Sequence, residues 1–133
     1  GLARTNKAIA LRMRGQPELA QQSLTRALEE FGGTATRYAS YARMHLGLVL
    51  PKEQMDQRIM LHQRAAEVLL ADGSEADRHL VDIAWAHHTL DGYLGPERLD
   101  VHEVLGKAKR FLARRRGADL NIAIQMLERH SKR

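Results

Sequence analysis

The 133-residue chain has no cysteine, only three prolines, one tryptophan and two phenylalanines. Without cysteine there is no disulfide scaffold, no thiolate zinc site and no thiol nucleophile. The absence also suits a reducing compartment, and a cytoplasmic protein is expected. No apolar run approaches the roughly 20 residues a membrane span requires. Gly1-Leu2-Ala3-Arg4 leads into mixed polar sequence with no signal-peptide pattern. No membrane association is expected, and the missing initiator methionine suggests a domain excised from a larger protein. Val, Ile and Thr are scarce, whereas Leu, Ala, Arg, Gln and Glu dominate. Those are strong helix formers, so the expected class is all-α. The length suits a single domain, 1–133, able to bury about two-thirds of its unfolded surface.

The few prolines and the glycines punctuate the chain. Pro17, Pro51 and Pro96 are each followed within two residues by a glutamate. Proline tolerates the first helical position because its missing N–H is not needed there, and a first-turn carboxylate suits the helix dipole. Gly32-Gly33, Asp72-Gly73 and Gly117 read as helix stops. Helices are therefore expected over 17–31, 51–71 and 96–116. Four more are read from 3.6-residue periodicity: 3–14, 34–50 with Thr34 as cap, 75–94 with a Ser74–Asp77 capping box, and 118–130. Short connections imply antiparallel hairpins, about 3–31, 34–71 and 75–116, with 118–130 as a capping helix.

Pro17 and Pro51 lie 34 residues apart, while Pro51 and Pro96 lie 45 apart. Residues 1–34 carry Gly15 at the inter-helix turn, then Ala20, Leu24 and Ala27, followed by Leu28. This unit resembles the tetratricopeptide repeat, a 34-residue helix pair with small residues at fixed places. Leu46-Gly47, Met55-Asp56 and Ala65-Ala66-Glu67 are similar to a looser second unit, and Ile83-Ala84 with Ala108 to a third. The motif's terminal proline is missing from all three. Another helical repeat or a non-repeat bundle fits the same periodicity.

The resemblance implies a protein-interaction module, a scaffold or regulatory domain whose first helices line a groove for a peptide. It places Ile9 and Arg12, Tyr41 and Met44, and Arg78, Val81, Trp85 and His88 in that groove. Trp85 then reads either as a peptide anchor or as packing between helices. Arg12, Arg78 and His88 favour an acidic ligand. Lys7 is followed four residues later by Leu11, so the Lys–Asn pair with which chaperone-tail binders clamp a carboxylate is absent. Apolar residues Ile59, Met60, Leu61, Val68, Leu69 and Leu70 exceed one stripe and suggest a homodimer or a longer array.

Net charge is +5, and Lys107, Lys109, Arg110, Arg114, Arg115, Arg116, Lys132 and Arg133 concentrate it near the C-terminus. The alternative function is therefore non-specific nucleic-acid binding through 96–116, or assistance to a DNA-binding regulator. A solvated helix face gives the same pattern.

Enzymatic chemistry finds no footing. His87-His88-Thr89-Leu90-Asp91-Gly92 is similar to the histidine-pair and Asp-Gly string of condensation domains in peptide synthetases. It has two spacers where that family has three, and the chain is far too short. It is also similar to a string of the HD-class cyclic-dinucleotide phosphodiesterases, but no upstream His-Asp pair accompanies it. Adjacent His87 and His88 project about 100° apart on a helix, and a metal site needs three or four convergent ligands. A hydrogen-bonded histidine with Asp91 as partner is expected instead. His79–Asp82 is a similar pair, and His45, His62, His102 and His130 have no carboxylate in step. Ser23, Ser40, Ser74 and Ser131 sit in no nucleophile context. No metal, no cofactor and no catalysis are expected.

Overall fold

The computed structural model describes residues 1–133 as seven α-helices and no strand. They are α1 (Leu2–Met13), α2 (Pro17–Phe31), α3 (Arg37–Val49), α4 (Met55–Asp72), α5 (Glu75–Leu90), α6 (Val101–Arg114) and α7 (Ala118–Ser131), with one 3-10 turn at Lys52–Gln54. Contacts divide the chain into two compact units, Gly1–Asp72 and Gly73–Arg133. No helix is long and apolar enough to cross a membrane.

In the first unit α1 pairs with α2, α2 with α3, α3 with α4, and α3 also touches α1. Pro17 sits in the first turn of α2, and Gly15 turns the chain with φ +74°. Ala8, Ala20, Leu24, Ala27, Ala42 and Val49 form the core between these helices. Four of the six are alanines, which let backbones approach closely. Leu24, fully buried, contributes about 2 kcal/mol on its own. Ser23 Oγ donates to the Arg4 carbonyl at 2.8 Å and ties α2 to α1.

The expected helix 34–50 begins at Arg37. Glycines at +64° and +77° (Gly32 and Gly33) end α2 in the left-handed region, and Thr36, not Thr34, accepts the capping bond from Ala39 N. The Thr34 carbonyl instead accepts from the Arg43 guanidinium at 2.9 Å. Pro51 forces Leu50 into extended backbone, which ends α3. It precedes the 3-10 turn rather than opening α4 directly, so α4 starts at Met55.

The second unit opens on the expected capping box. Ser74 Oγ accepts from Asp77 N, and Asp77 Oδ2 accepts from Ser74 N. Helix α5 stops at Leu90, not 94, because Asp91 and Gly92 turn the chain, Gly92 at φ +108°. Pro96 lies in the loop that follows, and α6 begins at Val101, where Asp100 accepts from Glu103 N. Asp100 has the capping oxygen that Gly95-Pro96 cannot supply. Thr89 Oγ1 accepts from Leu99 N at 3.1 Å and folds the loop back on α5. Helix α7 packs on both α5 and α6, and Ile83, Ala86, Val104, Leu105, Ala108, Leu120, Ile124 and Leu127 form their shared core.

Candidate interaction surfaces

In the first unit, Ile9 and Arg12 of α1 and Tyr41 of α3 are half-buried, on helices that touch. Met44 is buried and unavailable to a ligand, which corrects its placement in a groove. The Arg37 guanidinium lies 5.5 Å from the Tyr41 ring centroid, a cation–π arrangement, and Tyr38 lies 6.5 Å from Tyr41 with 51% of its surface exposed. Burial, reinforced by the Arg12 charge, pushes His45 down to about 3, so this imidazole is neutral at neutral pH while Arg12 is charged. Neither α1 nor α3 contains a carboxylate; every Asp and Glu of this unit lies on α2, on α4 or in the 3-10 turn.

The same unit holds an open cleft of about 370 Å³, lined by Leu46 and Leu50 together with Gln21, Gln57, Met60 and Arg64. Of the apolar run on α4, Ile59 and Leu69 are buried and Leu61 and Val68 half-buried, whereas Met60 and Leu70 are exposed. Buried Arg43 has its pKa lowered by desolvation and by the neighbouring Arg64 charge.

In the second unit the groove assignment fails at three of its four positions. Arg78 is exposed, but Val81 is 1%, Trp85 7% and His88 0% accessible. Between Val81 and His88 only Asp82 is not buried, so the helix has almost no free side there. The Trp85 indole stacks on Tyr93 at 5.7 Å and meets His88 edge-on at 5.9 Å. An aromatic side chain so enclosed is packing, not an anchor awaiting a peptide.

A histidine–aspartate bond also joins two helices of this unit. Asp91 accepts its bond from His130 of α7 at 2.8 Å, and the His87 ring lies 5.2 Å from that of His130. No group of three or more His, Asp or Glu side chains is placed to hold a metal ion.

Lys107, Lys109, Arg110, Arg114, Arg115 and Arg116 are all exposed. Lys107 pairs with Glu103 at 3.4 Å and Lys109 with Glu128 at 2.9 Å. The four arginines make no ion pair. Two open clefts flank them. One, about 560 Å³, follows the α6–α7 turn from Leu112 to Ala118 with Asn121. The other, about 370 Å³, brings Lys107, Arg110, Arg114 and Arg115 around Phe111 and His79, with Glu75 also in its lining. The His79 and Phe111 rings are 4.9 Å apart. The Asp82 carboxyl is pushed up by burial, an effect opposed by the His79 and Lys107 charges. His79 escapes a sequence reading of the basic run because it stands on α5, and only packing carries it to α6. No protein-family model matches the chain, and comparisons with curated proteins and with solved structures returned no match.

Proposed function

We propose that the chain is a non-catalytic interaction module, cytoplasmic and tetratricopeptide-like in its first unit, that binds an acidic peptide segment. The observation that carries this reading is the charge segregation of the first unit. Lys7 and Arg12 on α1 and Arg37 on α3 share their helices with no acidic residue, whereas Arg4 is already joined to Glu30 of α2 at 3.1 Å. Aromatic Tyr38 and Tyr41 stand on the same α3. An acidic, partly apolar segment matches both features: its carboxylates meet the cations and its side chains lie against the rings. The buried alanines Ala8, Ala20 and Ala27 support the repeat-like pairing that would display this face. Exposed Met60 and Leu70 offer a self-association surface on α4.

Selection of peptides from a random display library on the full chain tests the reading. Enriched sequences should be acidic, and Arg12→Glu with Tyr41→Ala should lose them while circular dichroism stays helical. Enrichment of basic or neutral sequences, or enrichment indifferent to both substitutions, overturns it.

A second reading, nucleic-acid binding through α6, is favoured by one observation: four exposed arginines within seven residues make no ion pair. Such a surface attracts phosphates without reading sequence.

A further inference from the structure

Helix α6 ends in more positive charge than its own stability calls for. One or two cations in a last turn complement the helix dipole. Here Arg110, Arg114 and Arg115 have no ion pair, while Lys107 pairs with an exposed Glu103 at 3.4 Å and also acts on the half-buried Asp82 carboxyl. Three of these four follow one face of the helix, at positions 107, 110 and 114, and Arg115 follows the last turn. What separates this surface from an ordinary solvated face is its floor. Phe111 is half-buried, and its ring is paired at 4.9 Å with the half-buried ring of His79, reached from another helix. Cations and rings line the same cleft of about 370 Å³, whose single carboxylate, Glu75, sits at the start of α5.

We propose that this cleft binds single-stranded nucleic acid, with a base against the His79–Phe111 pair and the flanking phosphates on Lys107, Arg110, Arg114 and Arg115. The inference rests on the nucleic-acid reading of α6 and narrows it. A duplex offers phosphates to the arginines, but its bases are stacked on each other and cannot reach a ring in a cleft. A single strand offers both groups at once. Backbone cations with an aromatic platform are the combination that single-strand binders use, and it is tolerant of sequence because every base has a π face.

Fluorescence anisotropy of the full chain with a labelled mixed-sequence DNA 12-mer, single-stranded and as duplex, tests it between low and moderate salt. The single strand should bind about tenfold or more tighter than the duplex. Its affinity should fall with salt at a logarithmic slope of about −3, for four phosphate contacts. Phe111→Leu keeps an apolar side chain against the core but removes the ring. It and His79→Ala, each checked for helical content, should bring single-strand affinity down to the duplex value. Arg110→Gln with Arg114→Gln should weaken both ligands. Equal affinity for both forms, or a preference untouched by Phe111→Leu and His79→Ala, overturns the stacking site and leaves the basic face as the binder. Absence of binding to either form at low salt overturns the site and the nucleic-acid reading together.

Discussion

His130 Nε2 lies 2.8 Å from Asp91 Oδ1, joining the last turn of α7 to the residue that ends α5, 39 positions earlier. The carboxylate is only 9% exposed and the imidazole 24%. A bond to a charged group in such a site is worth about 1–3 kcal/mol, and removing the donor also leaves a largely desolvated carboxylate short of a partner. His130→Ala is therefore expected to lower stability by about 1–2 kcal/mol. Urea unfolding at neutral pH measures it. An unchanged midpoint would mean that water replaces the imidazole at no cost.

Gly47 marks a close approach of α3 and α4. A Cβ there would stand 3.1 Å from the Arg58 carbonyl oxygen, a backbone atom that cannot swing aside. Gly47→Val is expected to cost about 1–3 kcal/mol through overpacking. Gly47→Ala should cost less, since alanine regains about 1 kcal/mol of helix propensity over glycine. Thermal melts of the two variants check the order; a Val variant as stable as the parent would show that the helices separate freely.

His45 gives the first unit a pH dependence of known sign. Its pKa falls from 6.5 to about 3, chiefly through burial of the ring, whose Nδ1 is sealed without a partner, and secondarily through Arg12. Between those values the unfolded chain binds the proton and the folded chain does not, so stability falls as pH falls through that window. Asp82 acts oppositely, because a raised carboxyl pKa favours the folded state on acidification, but it does so nearer the carboxylate range. The loss of stability between pH 7 and pH 5 should be smaller in His45→Gln than in the parent. Equal losses would assign the effect to other groups.

Trp85→Ala tests the corrected role of the tryptophan. Its 7% exposure and its stack on Tyr93 place the cost at about 3–5 kcal/mol, the range for deleting a packed aromatic ring. Arg78→Ala, on the exposed side, should change stability little. A folded Trp85→Ala protein with parental stability would return the residue to the surface.

How much of the molecule is legible in its sequence follows from the range of each signal. Pro17, Gly32 and the Ser74–Asp77 box set helix ends through contacts within a few residues, and all three act as their local chemistry requires. The alanines at 20 and 27 are readable as a close-packed seam for the same reason. Pro51 and Pro96 mislead because a proline that can open a helix can equally sit just before one or in a loop. The start of α6 falls instead to Asp100, whose carboxylate accepts from Glu103 N.

Strong helix formers settled the all-α class, and proline–glycine punctuation together with helical periodicity settled the number of helices and several of their ends, because each depends on backbone geometry and side chains one turn apart. Tertiary structure alone decided which faces are covered. Periodicity puts Val81, Trp85 and His88 on one side of α5, opposite Ile83 and Ala86, but burial on both sides is a property of packing that no single helix encodes. The same holds for Asp91, which His130 of α7 reaches at 2.8 Å, and for Phe111, beside which only packing brings the ring of His79. Such contacts join residues far apart in sequence, and only the folded chain brings them within reach.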